Sequence, residues 1–463
     1  MSMLTALKAR LNLNMLGGWH AVALAQAGWV SVSFAGQQIL RLFTNIVLAR
    51  LLDPQLLGMM VVINSLRTGG ELLTDVGVGQ SIVNNPKGAE RPFYSTAWTI
   101  QIMRGVLLFA VSLILTLPIS NLYENPALIH LLPVAALTFL ISGFTSPSQF
   151  LLQKHGHIKK FATFELLTSL GSAIIHIALA FYAPSVWALI LGLVFSTGFT
   201  VVCSFFIYKG VRPDLALERN YAREVFSFGK WVFFATLIYF VSTNFDRLYF
   251  AGAIPFALLG LYGIARTFAD AASLLMQRVA NLVIFPRVAS SGRQGHELRQ
   301  TIAKTRFAAM MLVAVVLAVG LALSEPVIHL LYDERYRVAG LMLPIMILGV
   351  WFAILASVTD AILLGIGRPK SIAVGNFAKL VWIVLCLPPM LAHYGIFAAL
   401  IVLALGDGVR YIALSALQIR AHLSFIRQDL TCTFAFFALA ALMRFVVFQL
   451  GLVESFPLWP HFR

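Results

Sequence analysis

Apolar residues run through this chain in blocks of about 20, enough to cross a bilayer as helix, with short polar connectors between them. The blocks lie near 24–48, 56–83, 93–117, 127–151, 161–182 and 186–208. A second set follows near 226–250, 256–286, 306–324, 339–364, 371–391 and 395–418. One more block, "LTCTFAFFALAALMRFVVFQLGLV" at 430–453, is interrupted by Arg444 and either spans or lies at the interface. The pattern predicts an all-α polytopic membrane protein with twelve core helices and a candidate thirteenth. Residues 1–23, with Lys8 and Arg10 but no small-residue cleavage site, read as a retained amphipathic lead-in.

Polar residues interrupt these blocks at helical spacing. In the second block Asn64, Arg67 or Thr68, Glu71, Asp75 and Gly79 recur at steps of three or four and predict one polar face. In the eighth, Arg266, Asp270, Ser273, Gln277 and Asn281 do the same at a constant offset of 202. The same offset takes "ARLLDPQLLGMM" (49–60) onto "AGAIPFALLGLY" (251–262), with Gly58 matching Gly260. At an offset of 211, "GHIKKFA" (156–162) meets "GRPKSIA" (367–373), and Pro133 meets Pro344. The order of these matches predicts two homologous six-helix bundles, 24–208 and 226–418, joined by a basic linker at 209–225 and followed by a tail at 419–463. Six helices per half is an even number, so the halves share one orientation, an arrangement that places substrate sites at their interface.

Composition sharpens this reading. The chain is 59% hydrophobic and only 11% charged, so lipid must be its main solvent. A net charge of +15 would fit nucleic acid, but the basic residues sit in connectors, as topogenic charges do. Alternate connectors hold about 21 Lys and Arg against 3, which predicts a cytoplasmic N-terminus and excludes a nucleic-acid partner. No connector is long enough for a soluble domain. Cys203, Cys386 and Cys432 lie apart inside apolar blocks, as packing residues do. No phosphate-binding glycine loop, nucleophile elbow or metal spacing occurs, so neither a cofactor, a metal nor catalysis is implied.

Charges inside a bilayer are expensive and face a bundle interior or a watery cavity. Beyond the two stripes, these are Gln37, Gln38 and Arg41, Gln101 and Arg104, Asn244 with adjacent Asp246 and Arg247, Asn376 with Lys379, and Asp360 and Asp407. Helical spacing pairs Arg67 with Glu71 and Arg266 with Asp270. A residual positive potential would favour an anion, and the guanidinium fork suits phosphate. Arg41, Arg67 and Arg266 are therefore the candidate anion-binding residues, with Asn64, Gln37 and Gln277 as polar substrate-binding candidates beside them. Glu71, Asp75 and Asp270 are candidates for ion coupling. Asp246 and Arg247, near the end of the seventh block away from the basic connectors, read as a gate or structural pair, each seeking a partner on another helix. Arg104 and Arg278 lie closer to the cytoplasmic ends and read as snorkelling to the headgroups. His176 is a lone intramembrane histidine, a proton relay or a hydrogen-bonded group of the bundle.

"ARLLDPQLLGMM", "TDVGVGQSIV", "NFDRLYFAG", "LLGLYGIAR" and "VIFPRVAS", in this order over about residues 25–420, resemble oligosaccharide flippases of the multidrug/oligosaccharidyl-lipid/polysaccharide exporter superfamily. That resemblance implies two six-helix bundles around a central cavity. It implies movement of a polyprenyl-diphosphate-linked oligosaccharide across the bacterial inner membrane by alternating access, for cell-surface or exopolysaccharide synthesis. Its partners would be the lipid-linked oligosaccharide, membrane lipid, and polysaccharide polymerase and export machinery. In related flippases arginines on the first, second and eighth spans bind the diphosphate, and Arg41, Arg67 and Arg266 stand on those spans. The alternatives are a drug exporter of the same superfamily, an integral membrane glycan polymerase and a non-transporting scaffold.

Overall fold

The computed structural model describes residues 18–75, 77–208, 213–279, 288, 295–368 and 370–453, without side chains at 18–27, 226–235, 275–279 and 295. The first half consists of α1 (Gly18–Leu51), α2 (Pro54–Leu73), α3 (Val78–Asn84), α4 (Arg91–Leu122), α5 (Leu128–Gly143), α6 (Ser148–Lys154), α7 (Ile158–Tyr182) and α8 (Val186–Phe206). The second consists of α9 (Arg219–Ala253), α10 (Phe256–Val279), α11 (Gly295–Ala322), α12 (Ser324–Leu331), α13 (Arg337–Gly365), α14 (Lys370–Ile419) and α15 (Ile426–Gln449). Among the described residues seven helices are long and apolar enough to cross a membrane, or eight if the bent pair α5–α6 counts as one span. α14 is two arms hinged at Gly395, whose φ of 77° is left-handed. The long helices α1, α2, α9 and α10 carry the polar stripes. Ile114, Phe181 and Phe434 stand bare on outer faces, where lipid removes the cost of exposing them. The chain is a multi-pass membrane protein.

The main core lies in the second half and takes in Ala49 and Val62 of the first, and a second cluster lies in the first half. α1 lies on α7 and α4 on α5 in the first, α10 on α13 and α13 on α14 in the second. The repeats have structural counterparts. A Cβ on Gly58 would lie 1.9 Å from the Phe256 carbonyl oxygen, and a Cβ on Gly260 would lie 1.9 Å from the Pro54 carbonyl oxygen. These two contacts are equivalents read from either half, since Gly260 follows Gly58 and Phe256 follows Pro54 by the same 202 residues. The starts of α2 and α10 thus cross backbone to backbone, on the face away from the basic connectors. On that face Arg335 Nη1 also donates to Asp53 Oδ1 (2.7 Å), Arg50 Nε to the Leu331 carbonyl (2.8 Å) and Tyr336 Oη to the Leu52 carbonyl (3.0 Å). Arg335 also bonds Asp333, which holds that carboxyl below its ordinary pKa. The second repeat is a helix stop. His157 N–H donates to the Leu152 carbonyl and Arg368 N–H to the Leu363 carbonyl, closing the same cap around left-handed Gly156 and Gly367.

Three predicted elements differ. The second block is not one helix. α2 ends at Leu73 and α3 begins at Val78, with Gly77 left-handed at a φ of 68° and its N–H bonded to Asp75 Oδ1 (2.9 Å). The fourth block is bent by 50° between α5 and α6. The linker expected at 209–225 is shorter, because α9 is already helical from Arg219.

α15 is a full helix of the second half, packed along α11. Arg306 meets Asp429 at 2.6 Å near its start, and Arg444 meets Glu325 at 2.6 Å near its end, all four side chains buried. The Trp351 ring stacks on Phe436 at 4.9 Å. Arg444, which interrupts the apolar run in the sequence, is thus a staple. Arg444→Met strands Glu325 and should cost about 3–5 kcal/mol, read as a lower Tm in detergent, while Arg444→Met with Glu325→Leu should recover most of it.

Candidate functional site

Two cavities lie on the basic side of the Gly58–Gly260 crossing, one in each half. The first-half cavity, of about 590 Å³, is lined by Gln37, Gln38, Arg41 and Thr44 of α1, Asn64 of α2, Thr168, Ser172 and His176 of α7, and Thr200 of α8. Beside Arg41 and His176 its polar lining is hydroxyl and amide, without a carboxylate, and the rest is apolar, from Leu40, Leu48, Leu57, Met60, Ala173 and Leu189. Gln37 is held from α7, donating to Glu165 Oε2 (3.2 Å) and to Ser33 Oγ (3.1 Å). Arg41 forms neither an ion pair nor a hydrogen bond among the described residues, and the acid that acts on its charge at longer range is Asp270 of α10. It is an exposed side chain on the cavity wall, where a guanidinium without a bonded partner offers its fork to an anion.

The second-half cavity, of about 410 Å³, is lined by Arg247, Arg266, Asp270, Asp360, Lys379, Asp407 and Arg410, with Thr68 of α2. Here the charges cancel. Arg266 lies 2.9 Å from Asp270 and 3.2 Å from Asp246, and Arg247 lies 2.6 Å from Asp270. Lys379 meets Asp407 at 2.7 Å across the two arms of α14, and Arg410 meets Asp360. Four bases therefore face four acids. The residual positive potential expected from the sequence is absent from this half and sits at Arg41 in the other.

The gate pair belongs to this network. Asp246 and Arg247 point apart along α9, and both find partners on α10: Asp246 with Arg266 and Tyr262, Arg247 with Asp270. The sequence reading set them apart from the stripe of α10, and the structure joins them to it. Arg67 is tied to Glu71 at 2.7 Å. The polar face drawn through Asn64, Glu71, Asp75 and Gly79 stops at the break after α2. Asp75 and Gly79 line a separate pocket of about 350 Å³ with Gln80, Arg104, Phe150 and Gln153. Gln277, Arg278 and Asn281 lie outside the described side chains.

Arg104 does not snorkel. It turns inward, donating from Nε to Thr74 Oγ1 (2.8 Å) and from Nη2 to the Glu71 carbonyl. The broken end of α2 leaves open carbonyls at the negative pole of the helix, which a guanidinium satisfies. Gln101 does likewise at the end of α5, donating to the carbonyls of Gly143 (3.1 Å) and Thr145 (2.9 Å). Arg410 was missed by the sequence reading. Its signal is a base three residues after Asp407 inside an apolar block.

Two lobes of membrane helices around polar cavities form the fold shared with transporters of known structure. The lipid II flippase MurJ in an inward closed conformation superposes with a TM-score of 0.75 over 92% of this chain and 94% of its own, at 13% identity. An inward-facing multidrug resistance MATE family transporter gives 0.68 over 86% and 95%, at 14% identity. Residues 47–341 match the family described as polysaccharide biosynthesis protein, and the chain belongs to that family. It is 23% identical to the teichuronic acid biosynthesis protein TuaB of Bacillus subtilis, over 64% of this chain and 62% of that one. It is 25% identical to the amylovoran biosynthesis protein AmsL of Erwinia amylovora over 62% and 75%, and 24% identical to the lipopolysaccharide biosynthesis protein WzxC of Escherichia coli over 55% and 51%. The match thus spans between half and three quarters of these relatives.

Proposed function

We propose that this chain flips a polyprenyl-diphosphate-linked oligosaccharide across the bacterial inner membrane, with its N-terminus in the cytoplasm, and that it transports rather than catalyses. The observation that carries this reading is Arg41, an unpaired guanidinium in a wall of hydroxyls and amides. Such a wall suits a ligand with a phosphate and many hydroxyl groups. The lobes 24–208 and 226–418 rock about the cavities, and the face of the Gly58–Gly260 crossing is periplasmic, by the positive-inside distribution. Asp270, shared by two arginines, is the acid placed to couple an ion to this motion. Glu71 and Asp75 are held by Arg67, Arg104 and the Gly77 amide. Polymerase and export machinery would receive the flipped glycan.

Deletion of the gene in its source bacterium should leave lipid-linked glycan on the cytoplasmic leaflet, read by leaflet-selective labelling. Accumulation of completed, unpolymerised units on the outer leaflet would instead mark a polymerase and end this reading. Efflux of cationic dyes by the purified, reconstituted chain would do the same in favour of a drug exporter.

A further inference from the structure

His176 is fixed with an unusual degree of order for a lone histidine in a membrane helix. Its Nδ1 lies 2.8 Å from the Ser172 carbonyl oxygen, one turn back on α7. A carbonyl only accepts, so Nδ1 carries a proton, and in the neutral ring Nε2 is then the acceptor. The ring lies on α8 at Gly192, where a Cβ would stand 2.8 Å from Cδ2 and 3.2 Å from Nε2. Gly192 therefore leaves the room that the ring occupies. His176 lines the first-half cavity, and Nε2 has no hydrogen-bond partner among the described residues. A second acceptor in the same lining is also unmatched: Gln38 Oε1 is buried with no hydrogen-bond partner.

Two unmatched acceptors on one wall of the cavity call for a ligand that donates hydrogen bonds and carries no charge at that point. Phosphate, all acceptor, would be repelled by them. Sugar hydroxyl and N-acetyl groups meet the requirement. Arg41 in the same cavity supplies the complementary anion contact. We infer that the first-half cavity holds the glycan, read by His176 Nε2 and Gln38 Oε1, while Arg41 holds the diphosphate that joins it to the lipid. This rests on the flippase reading and adds which lobe and which side chains meet the sugar. The charge-balanced second-half cavity then takes no part in sugar recognition.

The test compares two probes on the full-length chain in detergent by native mass spectrometry. One is lipid-linked glycan extracted from the source bacterium, and the other is bare undecaprenyl diphosphate. His176→Leu should lose about tenfold in affinity for the glycosylated lipid and keep that for the bare carrier, as one lost hydrogen-bonding group at a built polar site does. His176→Gln keeps a side chain able to accept and should stay within about threefold of the parent. Gly192→Ala, which displaces the ring without touching its chemistry, should repeat the selective loss. Arg41→Gln should weaken both probes. Equal losses for both probes in His176→Leu would make the histidine a packing residue, and unchanged binding would remove it from the site. Either result overturns the inference while leaving the flippase reading intact. Failure of the parent chain to bind either probe would overturn both.

Discussion

Gly58→Ala or Gly260→Ala should cut glycan export at least about fivefold while leaving the protein inserted. A single methyl at either position would stand 1.9 Å from a carbonyl oxygen of the opposite half. That atom belongs to backbone, so no side chain can swing away, and the starts of α2 and α10 must part. Overpacking of this kind costs about 1–3 kcal/mol, or roughly 5- to 150-fold in the population of the conformation that contains the contact. The conformation lost is the one closed on the proposed periplasmic face. The check is a cysteine placed at Asn45, in the first-half cavity, with Cys203, Cys386 and Cys432 replaced. A membrane-impermeant thiol reagent applied from outside should label it at least tenfold faster in the glycine variants. Unchanged labelling together with normal export would show that the crossing is not part of the transport cycle. Arg335→Ala, on the same face, is the contrasting case. Its partners Asp53 and Asp333 are exposed, such pairs contribute about 0–1 kcal/mol, and export should fall by no more than about fivefold.

The features legible in the sequence are those that repeat. Gly58 and Gly260 stand out at one offset because both halves need the same backbone approach, and Gly156 and Gly367 at another because both helices end in the same cap. Span positions were legible because lipid imposes one length on every crossing helix. The break after α2 was not, since Leu73 and Val78 are both apolar and hydrophobic continuity passes across Gly77 without a mark. Everything that depends on that break was hidden with it. Arg104 finds its acceptors in carbonyls that exist only once the helix has ended, so its apparent route was to the headgroups. The partners of Asp246 and Arg247 were hidden for another reason. Internal offsets relate equivalent helices of the two halves, whereas α9 and α10 are neighbours within one half. Polar patterning found the charges, and only packing assigned which were already neutralised.

That assignment separates Arg41 from Arg266, which the sequence treats alike. Arg41→Gln removes a charge that no described residue contacts and that Asp270 meets only at longer range, so stability should change by less than about 0.5 kcal/mol. A charge-assisted hydrogen bond to phosphate contributes about 1.5–3 kcal/mol, so binding of undecaprenyl diphosphate should weaken roughly 10- to 150-fold, and export should fall with it. Arg266→Gln acts first on the fold. It leaves Asp246, whose side chain is only 5% exposed, without its ion-pair partner, and leaves Asp270 to Arg247 alone. Loss of one partner from such a buried pair should cost about 3–5 kcal/mol, seen as a large fall in Tm and in the amount of protein recovered. Adding Asp246→Asn removes the stranded carboxylate and should restore much of the Tm. If the cavity arginine of the second half serves mainly the fold, this double variant should bind the bare carrier lipid within about threefold of the parent. Loss of lipid binding in a well-folded double variant would place Arg266 beside Arg41 as a direct diphosphate ligand. Retained binding and export in Arg41→Gln would remove the anion site from the first half altogether.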